Sequence, residues 1–192
     1  MIILVGPSAS GKTEVAKLLE GFYQMKKVIT HTTRPKRIHE VDGVDYHFVS
    51  KETFLKLKAE GAFVETTFYH DNYYGTSYKE VGDNKVVILD PNGLQAFKKI
   101  HDPHLVSFYF ECSDEIRYSR MLVRNDKPET AMERIKLDKI NFSPVHIKDE
   151  DIDFYIDSDA LNLHQMAKYV YKSYQTVLKI LKQFPKHQSS DI

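Results

Sequence analysis

Short runs of four to six apolar residues alternate along the chain with longer stretches in which apolar positions recur every three or four residues. The short runs read as buried parallel strands and the periodic stretches as amphipathic helices. This pattern predicts strands at Ile2 to Val5, Lys27 to Thr30, Val86 to Leu89, Val106 to Phe110 and Phe154 to Ile156. It predicts helices at Gly11 to Glu20, Asp114 to Arg124, Glu129 to Ile140 and, longest, about Leu161 to Phe184. In the last of these Leu163, Met166, Val170, Val177 and Leu181 make one apolar stripe, as a core-facing helix requires. The alternation predicts an α/β fold, a parallel sheet flanked by helices.

Two segments interrupt it. Between His31 and Gly82 lie the β-like runs Asp45 to Ser50 and Phe63 to Tyr69, a short helical stretch from Lys51 to Glu60, and the turn formers Asp71-Asn72 and Tyr73-Tyr74-Gly75. An inserted β-rich subdomain over 33–82 is expected there. The polar segment 125–144 carries no β pattern and is expected to be a helical lid, with core at 1–32, 83–124 and 145–184 and a frayed tail at 185–192.

Composition narrows the class. Gly 8 and Pro 7 in 192 residues exclude collagen-like and low-complexity chains. With 27 Lys and Arg against 27 Asp and Glu, no overall field favours nucleic acid or an anionic membrane. One cysteine, Cys112, and no uninterrupted apolar stretch of ~20 residues lead to the expectation of a soluble cytoplasmic protein.

The strongest chemical signal is Gly6-Pro7-Ser8-Ala9-Ser10-Gly11-Lys12-Thr13, which fits G-x-x-x-x-G-K-[ST] between a buried strand and a helix. Backbone N–H groups of Ser8, Ala9, Ser10 and Gly11 can turn inward around a phosphate at a helix N-terminus. Lys12 can reach the β and γ phosphates, and Thr13 can offer its hydroxyl to Mg²⁺. Switches, motors and kinases share this loop, so the acceptor must be read elsewhere. In Thr32-Thr33-Arg34-Pro35-Lys36-Arg37, two guanidiniums three residues apart can fork onto a second phosphate, and Tyr46 can donate to it.

With these residues the chain resembles the guanylate kinase family. The likeness rests on Gly6 to Thr13, on T-T-R-P-x-R-x-x-E-x-x-G-x-D-Y-x-F-V from Thr32 to Val49, on Glu65, and on Asn72-Tyr73-Tyr74-Gly75-Thr76. It implies a nucleoside monophosphate kinase fold with a phosphate-loop core, a GMP-binding subdomain and a lid, and MgATP-dependent phosphorylation of GMP or dGMP. It assigns Arg34, Arg37, Tyr46 and Tyr74 to the acceptor phosphate, Thr30, Glu65 and Thr76 to guanine, and Asp90 to the same pocket. Guanine alone among the common bases presents adjacent N1–H and N2–H donors that one carboxylate can accept together. Arg120, Arg124 and Arg134 resemble the arginines that fold over the transferring group; the likeness places Arg120 at ATP, while its position on the helix reads as that of a surface charge. The expected catalytic set is Lys12, Arg34, Arg124 and Arg134.

The chain departs from the family at Asp90-Pro91-Asn92-Gly93, where Asn92 replaces a second carboxylate, and at Ile156-Asp157, where an Asn-Asp pair is usual. The spacing of His31, His39 and His47 does not place them on one face, and Cys112 reads as core rather than nucleophile. The expected partners are ATP and GMP or dGMP, with neither nucleic acid nor membrane, in a monomer or homodimer. Two other readings are a catalytically inactive guanylate-kinase-like module that grips phosphopeptides and a related kinase for a ribose phosphate.

Overall fold

A computed structural model of the chain describes residues 1–69 and 71–184; the tail expected at 185–192 lies outside them. The strands are β1 (Ile2–Val5), β2 (Lys26–Lys27), β3 (His31–Thr32), β4 (His47–Phe48), β5 (Phe63–Tyr69), β6 (Asn72–Ser77), β7 (Lys85–Ile88), β8 (Val106–Glu111) and β9 (Phe154–Asp157). The helices are α1 (Lys12–Tyr23), α2 (Lys51–Ala59), α3 (Pro91–Lys98), α4 (Asp114–Val123), α5 (Pro128–Asn141) and α6 (Leu163–Gln183).

Five strands form a parallel sheet in the order β2-β7-β1-β8-β9. Side chains alternate along β1, so its four buried residues divide between the two faces. Ile2 and Leu4 join Val15 and Leu19 of α1 and Met166, Val170 and Tyr174 of α6. Ile3 and Val5 face Leu94 and Phe97 of α3. Each fully buried aliphatic or aromatic side chain contributes about 1.5–3 kcal/mol, so these two layers hold the end of β1 and the loop that follows it rigid.

A second sheet, ordered β4-β3-β6-β5, is built from segment 31–77. β5 and β6 form its antiparallel hairpin, and Val64 beside Glu65 packs onto the α3 face of the core. The small sheet is therefore anchored next to the start of α3.

Several elements differ from expectation. The strand expected at Lys27 to Thr30 ends at Lys27; Val28 still donates to the Val86 carbonyl at 3.0 Å before the chain leaves the sheet edge for β3. Residues 72–75, expected as turns, lie in β6, because their backbone pairs with β5 and positive φ falls on Asp71 (59°). Gly75 fits there because a Cβ would sit 3.0 Å from the Phe54 ring. The run expected at Asp45 to Ser50 is reduced to the two residues of β4. Helix α3 was not anticipated, although Asp90 caps it by accepting Gly93 N–H at 2.7 Å and Pro91 begins it, a strong start signal. In α6 the buried line is Met166, Ala167, Val170 and Tyr174, while Leu163 is 37% exposed.

Candidate functional site

The phosphate loop leaves β1 and enters α1. Gly6 has φ 142°, and a Cβ there would lie 2.7 Å from the Phe110 carbonyl oxygen of β8, so only glycine fits. Ala9 (φ 62°) and Gly11 (φ 100°) complete the reversal with left-handed backbone. The Lys12 ammonium donates to the Pro7 carbonyl at 2.6 Å and to Ser10 Oγ at 3.1 Å. Burial pushes its pKa down to about 8, against the attraction of Asp138.

Two cavities flank this loop. One of about 450 Å³ is lined by Gly6, Ser8 and Lys12 together with Asp90, Asn92 and Asp138. The other, about 680 Å³, opens at Gly11 between Arg120 of α4 and Arg124, which caps that helix, on one side, and Leu161, Asn162 and Met166 around the start of α6 on the other. Two pockets meeting at one phosphate loop suit a donor and an acceptor whose phosphates must converge.

On the small sheet, Glu65 and Thr76 are direct cross-strand partners next to a bulge in β5. Glu65 Oε1 accepts the Thr76 backbone N–H at 3.1 Å, and the Thr76 side chain also bonds to the carboxylate. Burial raises the Glu65 pKa, the Thr76 bonds oppose that shift, and the charge of Asp90 adds to it. Arg34 donates to Glu40 at 2.6 Å and lies 5.4 Å from the Tyr46 ring centroid; the Tyr46 and Tyr74 rings are 6.2 Å apart. The Arg34 side chain also bonds to Tyr74. Glu40 accepts the Arg37 backbone N–H at 2.8 Å, while the Arg37 side chain is exposed. Arg34, Tyr46 and Tyr74 are thus brought together by local packing. Thr30 is not among them: it lies in a separate cavity with Thr13 and Lys17, against β7.

The arginines of the second half are distributed differently from expectation. Arg120 is not a surface charge, since it donates to the Ala9 carbonyl at 3.2 Å and the Ser158 carbonyl at 2.9 Å. Arg124 ends α4 at the mouth of the larger cavity. Arg134 is 53% exposed and pairs with Asp126 at 3.3 Å, away from both cavities. Sequence reading missed Arg117 and Asp138. Arg117 Nε donates to the Ser8 carbonyl at 2.8 Å, and Asp138 accepts the Ser8 backbone N–H at 2.8 Å, so that N–H, expected to turn toward a phosphate, is held by a carboxylate instead. The available signal was spacing: Arg117 is i−4 from Met121, and Asp138 lies i+3 from Ile135, which puts both on the apolar faces where α4 meets α5.

Cys112 is only half-buried, and an arginine does stand beside it, with Arg120 at 3.4 Å from Sγ. Burial and a bond to Asp159 nevertheless push the thiol up to about 11, so it is no nucleophile at neutral pH. His31 and His47, contrary to the spacing argument, are pairing partners with ring centroids 4.6 Å apart. No group of three metal-ligating side chains occurs among the described residues. Likewise, no described helix is long and apolar enough to cross a membrane.

Comparison with known proteins agrees with this geometry. The family model described as "Guanylate kinase" matches residues 1–170. The chain is 33% identical over 147 residues to a guanylate kinase of Chlorobium luteolum, covering 72% of this chain and 74% of that protein. It is 30% identical over 168 residues to one from Chlorobaculum tepidum, covering 84% and 85%. The fold is similar to the crystal structure of guanylate kinase from Anaplasma phagocytophilum, with TM-score 0.52 and 24% identity over 98% of this chain and 87% of that one. A phosphate loop set between two cavities, an arginine and tyrosine cluster on an inserted sheet, and a match running through nearly the whole core lead to one conclusion: the chain belongs to the guanylate kinase family.

Proposed function

We propose that this protein transfers the γ-phosphoryl group of MgATP to GMP or dGMP, giving ADP and GDP or dGDP. The observation that carries this reading is the Glu65–Thr76 pair, a half-buried carboxylate held in place on the inserted sheet and within electrostatic reach of Asp90, which lines the phosphate-loop cavity. Glu65 accepts guanine N1–H and N2–H together. Thr76, whose N–H and hydroxyl are directed to Glu65, steadies that carboxylate. Arg34, Arg37, Tyr46 and Tyr74 take the GMP phosphate, with Glu40 orienting Arg34.

A phosphate oxygen of GMP attacks the γ-phosphorus in line, the bond to the β,γ-bridging oxygen breaks, and its electrons leave with ADP. That attacking oxygen is already ionised at neutral pH, so no general base is required. Lys12 moves from the Pro7 carbonyl onto the β and γ phosphates, while Arg124 and Arg120 bring positive charge from the α4 side. Thr13, next to Lys12 at the start of α1, fits Mg²⁺: one hard neutral oxygen suits an ion that keeps its waters and phosphate ligands. Mg²⁺ held there would supply positive charge to offset that of the triphosphate. Segments 33–82 and 125–144 close over the substrates to exclude water.

An intact Lys12-Thr13 pair favours catalysis over a phosphopeptide-binding module. The direct test is ADP formation from MgATP with each nucleoside monophosphate offered in turn. Turnover confined to GMP and dGMP supports the assignment, and turnover with a ribose phosphate but no nucleotide overturns it.

A further inference from the structure

Three successive carbonyls of the phosphate loop are each held by a cation. Pro7 accepts from Lys12, Ser8 from Arg117 and Ala9 from Arg120. A loop that binds a phosphate through its N–H groups must point its carbonyl dipoles away, since an oxygen turned inward repels the anion. Arg117 and Arg120 meet that requirement from outside the loop, at Ser8 and Ala9, and continue to meet it when Lys12 leaves Pro7 for the nucleotide.

Ser8 is the most tightly held of the three. Its carbonyl accepts Arg117 Nε at 2.8 Å, its N–H donates to Asp138 Oδ2 at 2.8 Å, and its hydroxyl lies 3.3 Å from Asp138 Oδ1. Arg117 and Asp138 are themselves joined by a hydrogen-bonded ion pair, with side chains only 3% and 10% exposed, and Arg117 also reaches Asp114 at 3.0 Å. One buried pair, contributed by two helices, therefore satisfies every polar group of Ser8. The pair sits beside the small apolar contact of Met121 with Ala131 and Ile135, which packs against Ala9.

We propose that Arg117 and Asp138 are positioning residues that set the phosphate loop for the donor nucleotide through Ser8. A bare carboxylate lining the same cavity as Lys12 would repel a triphosphate; Arg117 cancels that charge and leaves Asp138 to act only as an acceptor for the loop. The pair also fastens the last turn of α5 to the loop.

This inference rests on the loop being the ATP site, so its test reads donor binding without any acceptor. MgADP affinity is measured by calorimetry, and kcat and the two KM values by steady-state kinetics, for Arg117→Lys, Asp138→Asn and the double variant Arg117→Met/Asp138→Leu. A buried ion pair exchanged for apolar residues of similar volume usually retains stability, so the double variant separates folding from positioning. Its melting temperature is expected to stay near that of the unaltered protein. MgADP binding should weaken and kcat fall by about tenfold or more each, while KM for GMP changes by less than about threefold. Arg117→Lys keeps the charge but loses the fork, and should show the same split at a smaller size. MgADP affinity and kcat both within about twofold of the unaltered protein in the folded double variant, or in Arg117→Lys if the double variant does not fold, would overturn the proposal. Failure of GMP to accept phosphate would leave the MgADP result standing, so the two readings fail separately.

Discussion

Glu65 accepts the backbone N–H of Thr76, 3.1 Å away, although the two residues are already opposite each other in the β5–β6 ladder. A bulge between Phe63 and Glu65 interrupts the regular pairing there, and the side chain takes the donor that the partner strand does not. A carboxylate is thereby held in orientation on the hairpin, as the proposed selection of guanine by its hydrogen-bonding edge requires.

Replacing Glu65 by Gln removes the charge and turns one acceptor into a donor. KM for GMP should rise steeply, by ~10²-fold or more for a site built around hydrogen bonds, while ATP affinity barely changes. Steady-state kinetics with varied GMP and calorimetric titration of ATP measure the two. Unaltered GMP kinetics would remove Glu65 from the guanine site.

The same residue predicts a pH effect. Burial raises the Glu65 pKa, and only the ionised form accepts both guanine donors. GMP affinity should therefore decline as pH falls through that raised value, and should decline less in Glu65→Gln. A pH series of KM for GMP in both proteins checks this, with identical profiles counting against it.

Lys12→Ala should abolish phosphoryl transfer with the circular dichroism spectrum unchanged, since among the described residues the side chain's hydrogen bonds go to Pro7 and Ser10 of its own loop. In the unaltered protein, burial holds Lys12 at about 8, so kcat/KM for MgATP should drop as pH rises above that value and the ammonium is lost. The sign for stability is opposite: between about 8 and the ordinary 10.5 the unfolded chain binds more protons, so this group favours the folded state increasingly with pH. A Lys12→Ala variant with most of its turnover retained would refute the phosphoryl-transfer role.

Glu40 holds both the Arg34 guanidinium and the Arg37 backbone N–H. Glu40→Ala should raise KM for GMP by about tenfold through loss of that orientation, with less effect on kcat. The expected split is measured by varying GMP at saturating ATP; a change confined to the ATP side would argue against it.

Closure of segments 33–82 and 125–144 over the core should reduce the radius of gyration when donor-site and acceptor-site ligands are both bound. Solution scattering with MgADP and GMP together, compared with either alone, measures it. No compaction in the ternary complex would contradict the closure.

The sequence by itself determined the parallel core, the phosphate loop and the residues of the arginine and tyrosine cluster proposed to take the acceptor phosphate. Each is written in local signals: β1 as a fully apolar run, Gly6 and Gly11 at positions needing positive φ, and Arg34, Glu40 and Tyr46 within one short stretch. The hairpin β5–β6 was half legible, because Phe63–Tyr69 has strand character while the Tyr73-Tyr74-Gly75 run reads as a turn until its pairing is known. Tertiary structure alone decided which arginines stand against the loop. Arg117, Arg120 and Arg134 look alike as charges on helices, yet Arg117 is buried under Ser8, Arg120 is fixed to Ala9, and Arg134 is exposed beside Asp126. Their separation comes from the angle at which α4 and α5 pack over the loop, and local periodicity carries no information about that angle. The Arg117–Asp138 bond, 21 residues apart in the chain, exists only because the two helices meet there.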